Sequence, residues 1–169
     1  MSVRSFLQDH PKPLVWAWEL TLRVLRWSRP VLARLGLERA SWWLRTPEML
    51  IKKPLFDCRE CGQCVLHYTG MTCPMTCPKQ LRNGPCGGVR ANGHCEVYPD
   101  KPCVWVQAWE RSARTPYRAE MTRLNPPVDW RIEGLSSWVT HTLERDAITT
   151  GNDPAVRYAD EVLEGRSWN

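Results

Sequence analysis

The sequence predicts a mostly α-helical protein with an irregular, metal-organised core, in which a small cysteine-rich loop module is flanked by helical arms. All eight cysteines of the 169-residue chain lie between Cys58 and Cys103. The segment around them has no helical or strand periodicity and is interrupted by proline and glycine, so it needs staples or metal to fold. Eight of the ten tryptophans lie outside residues 55–110, in segments that show helical spacing.

These features divide the chain into three regions. We expect a Trp/Arg-rich amphipathic arm over residues 1–54, a metal-binding module over 55–110, and a C-terminal loop and helical arm over 111–169. Hydrophobic residues make up 43% and charged residues 24%, which excludes collagen-like, coiled-coil and wholly disordered chains. No uncharged apolar run is long enough to predict a transmembrane helix.

The N-terminal arm is predicted to contain three helices. Residues 14–27 place leucine and tryptophan at i, i+4, i+8 and i+11, with charged residues on the opposite side. A break at Ser28 precedes a second helix that Gly36 weakens or ends. Thr46-Pro47-Glu48 has the pattern of an N-cap followed by proline at the first helical position, and predicts a short helix that stops before Pro54.

This arm is too apolar to stand free in water. It packs on the body of the protein, fills a groove on a partner subunit, or lies on a membrane surface, and composition does not separate the three. For the partner hypothesis, the predicted binding residues are Trp16, Trp18, Leu22, Leu25, Trp27, Trp42 and Trp43.

Three helices are predicted after the cysteines. Residues 104–114 place Trp105 and Trp109 four apart and indicate a short helix. Ser136 or Ser137 is a candidate cap for a helix through Ile148, and Asp153-Pro154 for a last helix that Gly165 closes.

The N-terminus does not read as a secretory signal, because Asp9, Lys12 and Glu19 precede or interrupt the apolar stretch. We therefore expect a cytoplasmic chain, where dense cysteines more often bind metal than form disulfides. The formal net charge is +5, but eight thiolates around two centres of charge +2 would lower it to about +1. No nucleic-acid partner is expected.

The spacing of the cysteines indicates two four-cysteine metal centres. The run C-x2-C-x2-C over residues 58–64 is typical of iron–sulfur proteins, and the Cys-Pro dipeptides at Cys73 and Cys77 resemble those of ferredoxins. Zinc, which prefers paired ligands, is the alternative. The predicted metal ligands are Cys58, Cys61, Cys64, Cys73, Cys77, Cys86, Cys95 and Cys103.

Sequence does not decide which four cysteines share a centre. A sequential split is one possibility, and the other is a ferredoxin-like crossover in which Cys103 completes the first run. His67 and His94 lie in the same window and are interpreted as surface or supporting residues. Because no catalytic set or phosphate-binding glycine loop is recognisable, the residues favour electron transfer or a structural role over catalysis by this chain.

Taken together, the motifs C-x2-C-G-x-C-x-L, T-C-P-M-T-C-P-K, L-R-N-G-P-C-G-G, G-H-C-E-V and K-P-C-V-W resemble the methylenetetrahydrofolate reductase C-terminal family over roughly residues 55–110. The resemblance implies a non-catalytic accessory subunit whose eight cysteines hold two [4Fe–4S] clusters. It also implies a partner reductase that carries FMN or FAD, with electrons relayed between an unknown donor and that flavin.

Two other functions stay open at this stage. The same subunit could hold two Zn²⁺ ions and assemble the reductase without a redox role. A nucleic-acid-binding zinc module is the third hypothesis, although no aromatic and basic strand pattern supports it.

Overall fold

A computed structural model describes residues 3–122, 124–125 and 127–146. Over these residues the chain is mostly helical and contains no strand, only one isolated antiparallel bridge. The α-helices are α1 (Val3–Asp9), α2 (Pro11–Trp27), α3 (Arg29–Leu35), α4 (Leu37–Phe56), α5 (Val104–Ser112) and α6 (Ser137–Thr142). The 3₁₀ turns span Pro74–Thr76, Arg118–Thr122 and Trp130–Ile132.

The mostly helical class is thus confirmed, but a metal-organised core is not. Among the described residues, no group of three or more His, Cys, Asp or Glu side chains is arranged to hold a single metal ion. No helix in this part of the chain is both long and apolar enough to cross a membrane.

The first two predicted helices of the arm are present. Helix α2 begins after His10 with proline at its first position, where a missing N–H costs nothing. It gives way to α3 at Ser28, and α3 ends at Gly36, whose φ of 82° suits glycine because other residues pay a steric cost there.

The predicted third helix is wrong in its bounds. Helix α4 begins at Leu37 and runs through both Pro47 and Pro54 to Phe56, so Thr46 is not a cap. Proline in a helix interior removes a hydrogen bond and adds a clash. The buried face of α4 outweighs this cost, because tertiary packing supplies most of the stability of helices in proteins.

Helices α2, α4 and α6 enclose the apolar core. Val15 and Trp18 of α2 pack with Phe56, Leu66 and Met71 in one cluster. A second cluster joins the end of the arm to α6, and its buried members are Leu25, Leu32, Ala40 and Val139. The arm therefore packs on the protein's own body along one side of α2.

The first helix of the C-terminal region is shorter than its sequence pattern predicts. Ser136 precedes α6, as expected, but the helix ends at Thr142 and not at Ile148. Glu144 adopts a φ of 57°, and the Arg145 N–H donates to the Thr140 carbonyl at 2.8 Å, a backbone arrangement that closes helices. Ile148 and the last predicted helix lie outside the described residues.

Candidate metal centres

The eight cysteines fall into two sets of four, and each set lines its own cavity. The first cavity is lined by Cys58, Cys61, Cys64 and Cys73. The second is lined by Cys77, Cys86, Cys95 and Cys103. All eight lie within the described residues and none is in a disulfide. The cavities thus divide the cysteines sequentially, without the crossover that would bring Cys103 to the first set.

The loop of the first cavity is folded back on itself by residues with positive φ. Asp57 ends α4 at a φ of 51°, and Glu60 and Gly62 follow at 55° and 72°. Gly62 faces the backbone of Ile132 so closely that a Cβ would collide with the Ile132 carbonyl oxygen. The glycine of the C-G-Q-C sequence is therefore needed both for its conformation and for this close approach.

The C-terminal segment clamps this loop through hydrogen bonds. The Gly134 N–H donates to the Glu60 carbonyl at 2.8 Å, and the Thr140 hydroxyl donates to the Gly62 carbonyl at 2.6 Å. The Asp129 N–H donates to the side-chain oxygen of Gln63 at 2.9 Å. Residues 129–140 thus position the first three cysteines, although they lie more than sixty residues further along the chain.

A buried ion pair on α4 lies beside the first cavity. Glu48 is 0% exposed and Lys52 is 2% exposed, and their charged groups are 2.7 Å apart. Lys52 Nζ also donates to the Ser137 hydroxyl at 2.7 Å and to the Cys64 sulfur at 3.5 Å. Burial alone would lower the pKa of Lys52, but Cys64 and Glu48 raise it above its usual value, so the ammonium stays charged.

Arg82 brings a second buried cation to the same cavity. The residue is 6% exposed, and its Nη1 and Nη2 donate to the Cys61 sulfur at 3.9 Å and to the Gln63 carbonyl at 3.3 Å. Its Nε is buried without a hydrogen-bond partner. Among the residues the structure describes, no carboxylate forms an ion pair with Arg82. A buried guanidinium without a carboxylate indicates that the cavity suits an anionic group.

Three of the four thiols in the first cavity have raised pKa values. Burial, followed by the charge of the neighbouring cysteines, raises the pKa of Cys58 and of Cys73 to about 12 each. The pKa of Cys61 is raised for the same leading reason, burial. A coordinating metal removes this penalty because it neutralises the thiolates that it binds.

Short backbone pairings assemble the second cavity. His94 and Pro102 form an antiparallel bridge, and the Cys95 N–H donates to the Lys101 carbonyl at 2.9 Å. The Cys103 N–H donates to the Gly93 carbonyl, also at 2.9 Å. These contacts bring Cys95 and Cys103 together just before α5 begins.

The charges at the second cavity are exposed. The Glu96 carboxylate lies 3.5 Å from the Cys86 sulfur and pairs with Lys79. The side chains of Glu96 and Lys79 are 36% and 42% exposed, in contrast to the buried cations of the first cavity. Lys101 also lines this cavity.

One 3₁₀ turn separates the two cavities. Cys73 of the first set precedes the turn Pro74–Thr76, and Cys77 of the second set follows it. Four residues span at most about 14 Å even when fully extended, and the turn shortens this distance. The two cysteine sets are therefore neighbours in space as well as in sequence.

The predicted partner-binding residues separate into buried and exposed groups. Trp18 and Leu25 are buried in the core, each 7% exposed, and Leu22 packs against the same core. The four other tryptophans are exposed, at 66% for Trp16, 85% for Trp27, 70% for Trp42 and 67% for Trp43. Partner binding stays a prediction, and the set of candidate binding residues narrows to these four exposed tryptophans.

Sequence reasoning missed the charged residues of the first cavity. Glu48 and Lys52 have the i,i+4 spacing of an ordinary surface pair, and Arg82 has no motif of its own beyond its place next to Asn83-Gly84. Of the two histidines in the cysteine window, His67 stacks on Trp18, and His94 Nδ1 lies 2.6 Å from the Pro99 carbonyl.

The fold and the cavities define a small helical protein built around two sets of four cysteines. The family model described as methylene-tetrahydrofolate reductase C terminal matches residues 42–131, more than half of the chain, and includes all eight cysteines. The chain belongs to this family, so the resemblance that its cysteine motifs indicate is confirmed. The membership connects it to methylenetetrahydrofolate reductase and to one-carbon metabolism. No curated protein and no solved structure matches the chain.

Proposed function

We propose that this chain is the metal-centre subunit of a flavin-dependent methylenetetrahydrofolate reductase, and that its eight cysteines hold two [4Fe–4S] clusters. When bound, such clusters accept and donate single electrons. The chain would relay electrons between a donor and the flavin of its partner, which carries out the folate chemistry. The observation that carries the proposal is the division of the cysteines into two separate cavities with four sulfurs each.

The residues of the first cavity suit an iron–sulfur cluster. Four cysteines line that cavity, which is the number of ligands that a [4Fe–4S] cluster requires. Four thiolates around a core of charge +2 give a net charge of about −2, and the buried Lys52 and Arg82 offer the opposite charge. These contacts support the proposal because Arg82, unlike Lys52 with its partner Glu48, is a buried cation without a carboxylate among the described residues.

The division of the cysteines also favours iron–sulfur over zinc. Cys73 and Cys77 have the C-x3-C spacing of a pair of ligands to one zinc ion. These two cysteines line different cavities. The first cavity instead joins the C-x2-C-x2-C run to one later cysteine, which is the iron–sulfur arrangement.

We further propose that the exposed face of the helical arm binds the reductase. Trp16, Leu20, Val24 and Trp27 are exposed and recur at helical spacing on the side of α2 opposite the core, which corrects the prediction that charged residues occupy that side. Continuous exposed apolar surface of this kind marks an interaction site, and tryptophan is common at the centre of protein interfaces.

Anaerobic co-expression with the reductase, followed by metal and flavin analysis, tests the proposal. We expect a brown complex with about eight irons per chain, little zinc, flavin on the partner, and visible absorbance that dithionite bleaches. A colourless complex with about two zincs per chain would contradict the redox function and support the structural zinc subunit. Failure to co-purify with the reductase would contradict the assignment of the partner.

A further inference from the structure

The two cavities differ in the charges that lie beside their cysteine sulfurs. In the first cavity, Lys52 Nζ lies 3.5 Å from the Cys64 sulfur and Arg82 Nη1 lies 3.9 Å from the Cys61 sulfur. In the second, a carboxylate oxygen of Glu96 lies 3.5 Å from the Cys86 sulfur, and Glu96 is paired with Lys79. The first set thus has buried cations beside its sulfurs, whereas the second has an exposed carboxylate with an exposed lysine.

The counter-charges do not cancel this difference. Lys52 is paired with Glu48, but Arg82 forms no ion pair within the described part of the chain, which leaves one buried positive charge at the first cavity. Glu60 also lines that cavity, and both Arg45 and Lys53 pair with it. At the second cavity, Lys79 and Lys101 offset Glu96, but Lys79 and Glu96 are exposed, so water and salt weaken their effects.

Adding an electron makes a cysteine-bound cluster more negative by one charge. A buried cation beside the sulfurs stabilises the reduced form strongly, because the surrounding dielectric is low. A carboxylate beside a sulfur destabilises the reduced form. Burial alone would oppose reduction in the first cavity, so Arg82 and Lys52 are the groups that reverse this preference.

We propose that Arg82 and Lys52 raise the reduction potential of the first centre and that Glu96 lowers the potential of the second. With both clusters bound, this order of potentials would favour transfer of one electron from the second centre to the first, with no bond made or broken. This inference rests on the proposed function, since it requires a redox cluster in each cavity. Cys64 and Cys73 pack against the core cluster that includes Val15 and Trp18 of α2, so the electron would leave on the side of the helical arm.

A redox titration followed by electron paramagnetic resonance tests the inference on the anaerobically purified complex. Variants C77S/C103S and C58S/C73S, which each remove two ligands from one set, assign the signals to the first and the second centre. We expect the first centre to have the higher midpoint potential. Equal potentials, or a higher potential at the second centre, would overturn the proposed direction.

Single charge substitutions test the residues themselves. For Arg82→Met, we expect the ratio of reduced to oxidised first centre at a fixed potential to fall about tenfold, or about 59 mV for one electron, with the second centre unchanged. Arg82→Lys should keep the reduction potential of the first centre close to that of the unsubstituted protein. The exposed Arg34→Met serves as the control. Glu96→Gln should raise the ratio of reduced to oxidised second centre only, by a smaller factor than the change expected for Arg82→Met.

The possible failures are distinguishable. If the purified complex holds zinc and no iron, the proposed function itself is wrong. If both clusters are present but Arg82→Met and Glu96→Gln leave the potentials unchanged, only the electrostatic inference is wrong. If Arg82→Met does not fold, Glu96→Gln still decides, because Glu96 is exposed and its loss does not open the core.

Discussion

The two cysteine cavities hold the same number of sulfurs but are built in different ways. The first is walled by α4, by the C-terminal segment and by a buried ion pair, and its contacts join residues far apart in sequence. The second is built within residues 76–105, by the loops that carry its cysteines and the start of α5, with its charges exposed. The comparison teaches that one cavity depends on the whole fold, whereas the other depends mainly on local backbone.

The largest expected effect comes from breaking the buried ion pair at the first cavity. Lys52→Met leaves the Glu48 carboxylate buried without its cation, and we expect a loss of about 3–5 kcal/mol in the free energy of unfolding. Chemical denaturation of the purified chain measures it. The double variant E48Q/K52M should recover part of the loss, because no charge is then left unpaired.

The same variant tests whether the second cavity is independent. If Lys52→Met folds well enough to be purified, we expect it to lose iron from the first centre and to keep about four irons at the second. Equal loss of iron from both centres would show that the second cavity depends on the arm as much as the first does.

Alanine substitutions at Gly62 of the first cavity and at Gly88, beside Glu96 of the second, allow a matched comparison of the two cavities. A Cβ at Gly62 collides with the backbone of Ile132 at a φ of 72°, so Gly62→Ala should cost about 2–4 kcal/mol. A Cβ at Gly88 meets only the end of the Glu96 side chain, which can move away, so Gly88→Ala should cost less than about 1 kcal/mol. Similar losses in the two variants, measured by denaturation, would contradict the comparison.

A smaller effect is expected at the exposed face of α2, measured as binding to the reductase. Trp16→Ala and Trp27→Ala together should weaken binding by at least about 2 kcal/mol, or roughly thirtyfold, without changing the stability of the free chain. Trp130→Ala, at a similarly exposed tryptophan outside the arm, is the control. Unchanged affinity in the double variant would reject this face as the docking surface.

The smallest effect concerns a contact between the arm and the body. The Tyr117 hydroxyl donates to the Glu19 carboxylate at 2.6 Å, and this bond, followed by burial, raises the pKa of Tyr117 to about 12. Because the folded pKa exceeds the ordinary value of about 10, the stabilisation is complete below pH 10 and is lost as the pH rises through about 12. Tyr117→Phe should cost about 1 kcal/mol at pH 8 and progressively less above pH 10. A difference that stays constant with pH would contradict this.

The features that could be predicted from the sequence are those that depend on local interactions. Helices α2 and α5 and the eight cysteines are visible as spacing, because each pattern repeats within a few residues. The course of α4 through Pro47 and Pro54 is not, because distant packing outweighs the local signal of proline.

The grouping of the cysteines and the positions of the charges around them follow only from the three-dimensional structure. Spacing allows Cys103 to join either set, and only the fold separates Cys73 from Cys77 into different cavities. Glu48 and Lys52 have the spacing of a solvated pair, and nothing in the sequence shows that Ser136 and Ser137 cover them from α6 and the residue before it.

The most direct test of two separate four-cysteine centres is the iron content of paired serine variants. For C58S/C73S, which removes two ligands of the first set, we predict about four irons per chain, because the second centre stays intact. For C58S/C103S, which removes one ligand from each set, we predict almost no iron. The reverse result, with iron kept in C58S/C103S and lost in C58S/C73S, would show a crossover arrangement and contradict the division described here.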